Sequence, residues 1–312
     1  MTDPNSEPDD LWLAARDGDI DLVKSLLNQF HTKSDHINHR DNMDGTTPLI
    51  MAIKASPRYS YRHFDHNTGI YFDHTNRHLE VVKLLLHYEA DVSLACCTGK
   101  TALYWAVLAA PSNEYLDLVL KAPGNDIDVK FHGCTALMMA VCNKNHVGLR
   151  WKHQVSALLD HGADTTTVDE KGDSLLHQLS FPGEWLLDKL KPFHIDINRK
   201  CQYGRTPLMK VIDLFKCIHR PSIFQQFTSV VKALLDHGAE INIEDDAGRI
   251  AIEAAESVVL DDHDVMILLR EREFRDKLLV FATGTIKPKN KENCRVRYFY
   301  EEILKEILHQ GK

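Results

Sequence analysis

Apolar residues recur at helical spacing in three similar stretches of the chain, and a short polar loop follows each stretch. The stretches begin at Val81, Val155 and Val230, and the last of them reads Val-Val-Lys-Ala-Leu-Leu-Asp-His-Gly-Ala. This spacing buries one face of a helix, and a Gly or a pair of small residues ends that helix. A motif that returns along the chain predicts stacked repeat units.

A second motif precedes these stretches, and it describes how another helix begins. It consists of a Gly, a Thr or Ser two residues later and then a Leu, and it occurs at residues 44–49, 98–103, 132–137, 171–176 and 203–208. Gly permits a turn with positive φ, Thr or Ser caps a helix, and Pro fits the first helical turn. Each copy therefore predicts a turn that leads into a helix with a buried Leu stripe.

The two motifs alternate over roughly residues 9–270, and together they resemble the ankyrin-repeat family. The resemblance implies an all-α fold, an α-solenoid of about seven helix-turn-helix repeats joined by β-hairpin-like loops. Residues 1–8 are expected to form a disordered acidic leader, and residues 271–312 a C-terminal helical cap or extension.

Three repeats are longer than the others, with insertions near residues 56–76, 143–151 and 213–226. Each insertion falls between the two helices of a repeat, so the resemblance places all three along one edge. Counted over residues 54–76, 143–152 and 213–226, these segments hold eight basic and three acidic side chains, in a chain of net charge −8. Alternating residues between 59 and 72 predict a β-hairpin-like excursion, and the next helix is expected to begin at about His78. The insertions either bind a partner or cover the edge of the helix stack.

Arg and aromatic residues anchor many protein interfaces, and the insertions contain both. The resemblance also implies a concave groove built from the first helices and the loop tips. In the groove, Tyr104, Trp105 and Lys210 are the residues expected to be exposed. The candidate partner-binding residues are Tyr59, Tyr61, Arg62, Phe64, Tyr71, Phe72, Tyr104, Trp105, Arg150, Trp151, Lys210 and Arg220.

The C-terminal segment carries an apolar stripe at helical spacing. Its members are Tyr300, Ile303, Leu304, Ile307 and Leu308. The stripe predicts either a cap that packs on the last repeat or a helix that docks into a partner's groove.

The composition excludes some classes of function. With 37 basic and 45 acidic residues, the chain is not expected to bind nucleic acid, and no apolar run reaches transmembrane length. Seven scattered Cys residues indicate a reducing compartment. We therefore expect a cytoplasmic protein, with a nuclear location or a host cytosol as alternatives, and a monomer.

The first insertion contains a group of histidines, His63, His66, His74 and His78, that would suit zinc or nickel. No Cys pair supports a metal site there, so neither a metal nor another cofactor is predicted. The sequence also lacks the nucleophile-elbow, phosphate-loop and zinc-protease motifs, and no enzymatic activity is expected.

The resemblance implies one further kind of site. An Asn at the end of the loop between ankyrin repeats is a target of asparaginyl hydroxylation, and Asn38, Asn198 and Asn242 occupy that place. The same Asn also stabilises the loop.

Three functions remain open. The first is an adaptor or scaffold without catalysis that binds a protein partner. The second is an effector of an intracellular bacterium or large virus that seizes a host protein. The third is a metal-binding accessory or pseudo-enzyme that uses the loop histidines.

Overall fold

The computed structural model describes residues 8–29, 36–56, 62–65, 70–142, 150–179, 183–215, 221–257 and 264–282. The chain divides into two compact units, Met1–Gln178 and Leu179–Lys312, and each is described by itself. In both units pairs of consecutive helices pack on one another, as the alternating motifs predict.

The described part of the first unit contains four helix pairs and one β-hairpin. Its α-helices and strands are α1 (Pro8–Asp17), α2 (Ile20–Gln29), α3 (Pro48–Ala55), β1 (Arg62–Asp65), β2 (Ile70–Asp73), α4 (His74–His87), α5 (Ala102–Leu108), α6 (Glu114–Lys121), α7 (Ala136–Cys142) and α8 (Arg150–Asp160). A 3₁₀ helix, Leu175–Gln178, ends the unit.

The helices of the first unit stack in two rows. Helix α1 packs on α3, α3 on α5, α5 on α7, and α7 on the 3₁₀ helix, so the first helices of successive repeats lie side by side. The second helices form a parallel row in the order α2, α4, α6 and α8. The core lies between the rows and includes Leu49, Leu85, Leu103, Leu116 and Leu137, all nearly inaccessible to solvent.

The second unit continues the same pattern. Its helices are α9 (Gly183–Leu190), α10 (Pro207–Leu214), α11 (Pro221–Asp236), α12 (Ala251–Glu256) and α13 (Asp264–Ala282), with a 3₁₀ turn at Lys191–Phe193. Helix α10 packs on α12, while α11 packs on α9 and on α13. The two rows and their buried core make each unit an all-α solenoid segment.

Threonine side chains begin the first helices as predicted. Thr47 Oγ1 accepts a hydrogen bond from Ile50 N at 3.3 Å, and Thr206 Oγ1 accepts one from Met209 N at 3.4 Å. Thr101 makes the equivalent bond at the start of α5. In the fourth copy of the motif, residues 171–176, the helix is a short 3₁₀ turn, and there Ser174 N donates to His177 Nδ1 at 3.0 Å.

The insertions are partly regular structure. Strands β1 and β2 pair antiparallel, with Arg62 opposite Asp73 and Asp65 opposite Ile70, which confirms the predicted hairpin excursion. Helix α4 begins at His74, so the expected start at about His78 is wrong. Helix α11 begins at Pro221, so the end of the expected insertion at 213–226 is helical.

The C-terminal end of the repeats also differs from expectation. Helix α13 runs without a break from Asp264 to Ala282, so the expected boundary between residues 270 and 271 falls inside a helix. The expected leader covers residues 1–8, but Pro8 is already the first residue of α1. Residues 1–7 of the leader and the apolar stripe from Tyr300 to Leu308 lie outside the described residues.

Candidate protein-binding surface

One position recurs in the capped first helices, and it is half-buried in three of the four copies compared. It lies four residues after the capping residue, and Trp105, Met139 and Gln178 are half-buried there, whereas Met51 is 8% exposed. Because the helices begin with the same cap and pack side by side, they place these side chains in one row. We call Met51, Trp105, Met139 and Gln178 the first-helix row.

Trp105 is the largest member of the first-helix row, and two ammonium groups lie close to its ring. Lys54 Nζ is 5.5 Å from the ring centroid, and Lys100 Nζ is 5.1 Å from it. Cations at this distance are attracted to the indole quadrupole. The Trp105 Nε1 atom is buried and, among the described residues, has no hydrogen-bond acceptor.

Lys100 is surrounded by aromatic rings. Its Nζ lies 4.8 Å from the Phe131 centroid and 5.5 Å from that of Tyr104, in addition to its contact with Trp105. The rings of Tyr104 and Phe131 meet edge-on with centroids 4.8 Å apart. In the part of the chain that the structure describes, no carboxylate forms an ion pair with Lys100. Among the described residues, its ammonium group is therefore surrounded by aromatic faces and not by carboxylates.

Lys54 is held in place by Asp44. Its Nζ donates to Asp44 Oδ2 at 2.8 Å, and Thr46 Oγ1 donates to Asp44 Oδ1 at 2.6 Å. Partial burial would raise the pKa of the Asp44 carboxyl, but the hydrogen bonds from Lys54 and Thr46 lower it to about 2. Asp44 is therefore ionised at neutral pH and fixes the Lys54 ammonium near Trp105.

The loop tips add exposed side chains beside the first helices. Met43 is 90% exposed, and Cys97 and His132 are also exposed. The loops are joined by backbone hydrogen bonds, such as that from Cys97 N to Asp44 O at 2.9 Å. An exposed methionine on a bonded loop offers apolar surface in a defined position.

Comparison with known proteins identifies the repeats. Residues 132–170 match the family model for the ankyrin repeat. The chain contains an ankyrin repeat. It is similar to the ankyrin repeat domain of Bcl-3, a member of the IkappaB protein family, with 20% identity, a TM-score of 0.58, and coverage of 86% of this chain and 100% of that one. It is also similar to the human ASB11 ankyrin repeat domain, with 17% identity, a TM-score of 0.58, and coverage of 84% and 96%.

These likenesses establish the ankyrin fold, and ankyrin repeats generally mediate protein–protein interaction. The structure adds that, among the helices it describes, none has the length and apolarity needed to cross a membrane.

The three residues that were predicted to be exposed in the groove differ in their burial. Trp105 and Lys210 are half-buried, but Tyr104 is only 9% exposed, so its expected exposure is wrong. Tyr104 lies one residue before Trp105 and points into the stack, where burial raises the pKa of its hydroxyl. Lys210 occupies the equivalent position of α10 in the second unit.

The residues predicted in the insertions also have different surroundings. Trp151 is 6% exposed, because it is the second residue of α8 and belongs to that helix's buried stripe. Arg150 is half-buried and contacts Ala110 O. Tyr59, Tyr61 and Arg220 lie outside the described residues. For Arg62, Phe64, Tyr71 and Phe72 the structure describes the backbone of the hairpin but not the side chains.

The four histidines considered as metal ligands are described only in part. His78 is 8% exposed, and its Nε2 is 3.0 Å from Arg16 O, an arrangement that joins the first two repeats. His66 and the side chains of His63 and His74 lie outside the part that the structure describes.

Two of the three asparagines considered for modification bond to the next repeat. Asn38 Oδ1 accepts from Asp91 N at 2.8 Å, and Asn198 Oδ1 accepts from Glu240 N at 2.9 Å. Asn242 is exposed. Hydroxylation at these positions stays a prediction, while the hydrogen bonds give Asn38 and Asn198 a structural role.

Sequence reasoning missed Lys100, Phe131 and Met43 as surface residues. Each lies in the loop that joins two repeats, next to a Gly turn, where the sequence shows no periodicity. A signal was present in the spacing, because Lys100 directly precedes the capping Thr101 and therefore lies beside the start of α5.

Proposed function

We propose that this protein is a non-catalytic binding module, an adaptor or scaffold, that holds a protein partner along the first-helix row and the adjoining loop tips. The ankyrin fold supports this proposal, because its repeats generally serve protein–protein interaction. The first helices offer a continuous surface, since α3, α5 and α7 pack side by side.

The observation that supports the proposal most strongly is the environment of Trp105, whose ring lies close to Lys54 and Lys100. A half-buried Trp flanked by two cations has the composition of an interface anchor, because Trp, Tyr and Arg dominate measured binding energies. The contacts of Lys54 and Lys100 with its ring limit its side-chain freedom before a partner arrives. Little conformational entropy is then lost on binding.

The charges define the chemistry of the partner. Lys54 is already paired with Asp44, whereas Lys100 contacts only aromatic rings among the described residues. The partner should therefore place an apolar side chain on Trp105 and an acidic group near Lys100. Opposite charges at such a site increase the association rate and select the partner.

A comparison of two variants tests the proposal. The tagged full-length protein, Trp105→Ala and the control Leu22→Ala are used to capture proteins from a cell extract, and bound proteins are quantified by mass spectrometry. Leu22 is 43% exposed on α2, in the row of second helices, so its loss changes an apolar surface away from the first-helix row.

We expect Trp105→Ala to lose a partner that the wild-type protein and Leu22→Ala retain. Titration calorimetry with that partner should show at least about a 30-fold loss of affinity, the size of an interface hot spot. If Trp105→Ala is folded by circular dichroism and captures the same proteins with the same affinity, the proposal is wrong.

We also propose that the protein acts inside the cell, in a reducing compartment, and as a monomer. The cysteines that the structure describes, Cys96, Cys97, Cys134, Cys142 and Cys201, are free thiols. Exposed Cys97 would oxidise readily outside such a compartment.

A further inference from the structure

Arg150 is half-buried, and its charge is not paired with a carboxylate in the part of the chain that the structure describes. Arg150 is the first residue of α8, and its Nη2 donates to Ala110 O at 2.6 Å, in the turn between α5 and α6. Its Nε is buried and has no acceptor among the described residues. Within the same part of the chain, no carboxylate lies at ion-pair distance from it.

The sequence around Arg150 and around the carbonyl that it contacts supplies no counter-charge. Residues 105–113, which lead through the α5–α6 turn, contain no acidic residue, and neither do residues 143–153 around Arg150. Two carboxylates follow on α6, but Glu114 is exposed and Asp117 faces His153 Nε2 at 3.7 Å. Burial lowers the pKa of the Arg150 guanidinium, as expected for a cation that is partly removed from water without a partner.

A second unsatisfied polar atom lies on the same turn. Asn113 precedes α6 at the N-cap position, yet its side chain makes no capping hydrogen bond. Its Oδ1 is buried and, in the described part of the protein, accepts no hydrogen bond. Buried polar atoms without partners are rare, because each one costs the free energy of its lost hydration. Arg150 thus offers a donor, and Asn113 offers an acceptor three residues beyond the carbonyl that Arg150 contacts.

A peptide supplies the complementary groups. An Asp or Glu side chain gives a carboxylate, the usual partner of a guanidinium fork, and the peptide backbone gives N–H donors. Because donor and acceptor are both partly removed from water, their bonds to a ligand are stronger than those of exposed groups.

We infer that Arg150 and the α5–α6 turn form a second contact site, which binds an acidic side chain of the protein partner. This inference rests on the proposed function, since it supposes that the partner is a protein. The hydrogen bond from Arg150 to Ala110 O leaves the charge of the guanidinium unpaired. Binding an acidic side chain of the partner would pair that charge, which gives Arg150 a role in recognition.

The experiment follows the Nε–H signal of Arg150 by nuclear magnetic resonance in the full chain. The signal is assigned by its loss in Arg150→Lys. The probes are the tripeptide acetyl-Glu-Asp-Glu-amide and its neutral counterpart acetyl-Gln-Asn-Gln-amide, titrated at low ionic strength. Lys152→Met is the matched control, because it removes a neighbouring cation and leaves Arg150 in place.

We expect the acidic peptide to shift the Arg150 signal in a saturable way, and the neutral peptide to leave it unchanged. Lys152→Met should keep the shift. The thermal unfolding midpoint of Arg150→Met should equal or exceed that of the wild-type protein, since an unpaired charge does not stabilise the fold.

Two results would overturn the inference. One is the absence of a shift that distinguishes the acidic from the neutral peptide. The other is a fall of several degrees in the unfolding midpoint of Arg150→Met, which would make Arg150 a structural residue. Trp105→Ala separates this inference from the proposed function: it should lose the captured partner and keep the Arg150 shift. If Trp105→Ala loses the captured partner but the acidic peptide does not shift the Arg150 signal of the wild-type protein, the second contact site is refuted and the proposed function is not.

Discussion

At the scale of single residues, glycines control how closely successive loops approach. Gly133 has a φ of 73°, and a Cβ added there would lie 2.5 Å from Glu170 N in the next loop. Gly162 has a φ of 85°, and a Cβ there would meet nothing within 4 Å. Alanine substitutions at Gly162 and Gly133 therefore separate two costs in the free energy of unfolding: that of the backbone conformation and that of the packing between loops.

We predict that Gly162→Ala lowers the free energy of unfolding by about 1 kcal/mol, the cost of a left-handed conformation for an L-residue. Gly133→Ala should cost roughly 2 kcal/mol more, because the Glu170 backbone must also move. Urea denaturation of both variants checks this. Equal losses would show that the loops are not packed as the structure has them.

The carboxyl of Asp44 predicts a dependence of stability on pH. Its pKa is about 2 in the folded protein, against an ordinary value of 3.8. A lowered pKa adds stability above about pH 4, and this contribution is lost as the pH falls from 4 towards 2. Stability at pH 2, 3, 4 and 6 should therefore fall less steeply in Asp44→Asn than in the wild-type protein. Parallel curves would contradict the Lys54 and Thr46 hydrogen bonds.

At the scale of elements, hydrogen bonds from loop asparagines connect neighbouring repeats. Asn198 Oδ1 accepts from Glu240 N, and its Nδ2 lies 3.3 Å from Glu240 Oε1. Asn242 occupies the corresponding place in the following loop and is exposed. Asn198 and Asn242 have the same side chain and lie in similar loops. Among the described residues, Asn198 bonds to the next repeat and Asn242 does not.

We predict that Asn198→Ala lowers the free energy of unfolding by about 1 kcal/mol, the net value of such a hydrogen bond. Asn242→Ala should change it by less than about half of that. Thermal and urea unfolding of the two variants give the answer. A larger loss for Asn242→Ala would refute this assignment of the repeat-to-repeat bonds.

The sequence predicted elements well where the signal was local. Helix α3 runs from Pro48 to Ala55 as expected, because Thr47 caps it and Pro48 fits its first turn. Other starts were missed although their signals were present: Asp73 precedes α4, and Pro221 opens α11. The charged and aromatic composition of these segments was interpreted as that of a loop, so the helix-start signals of Asp73 and Pro221 were overlooked.

Trp151 shows why surface residues were harder to predict than elements. Its aromatic ring beside basic residues resembled an interface anchor, yet Trp151, Val155, Leu158 and Leu159 form one buried helical stripe. Conversely, Lys100 lies in a loop without periodicity, and only the fold brings Phe131 within 4.8 Å of it. Contacts between repeats depend on stacking, which a linear pattern does not record.

At the scale of the whole molecule, the repeated motifs predicted an all-α solenoid, and the ankyrin fold confirms it. The function follows less directly, because a fold shared by many proteins does not name a partner. What this chain adds of its own is Trp105 between two cations, together with Arg150 at the end of the helix pair.

The central claim is that a partner covers the first-helix row, and hydroxyl-radical footprinting of the complex tests it most directly. Methionine and tryptophan side chains oxidise readily, and Met139 and Trp105 are half-buried members of this row. We predict that the captured partner slows the oxidation of both and leaves exposed Leu22 unchanged. Unchanged oxidation of Trp105 and Met139, with protection only on the second helices, would contradict the claim.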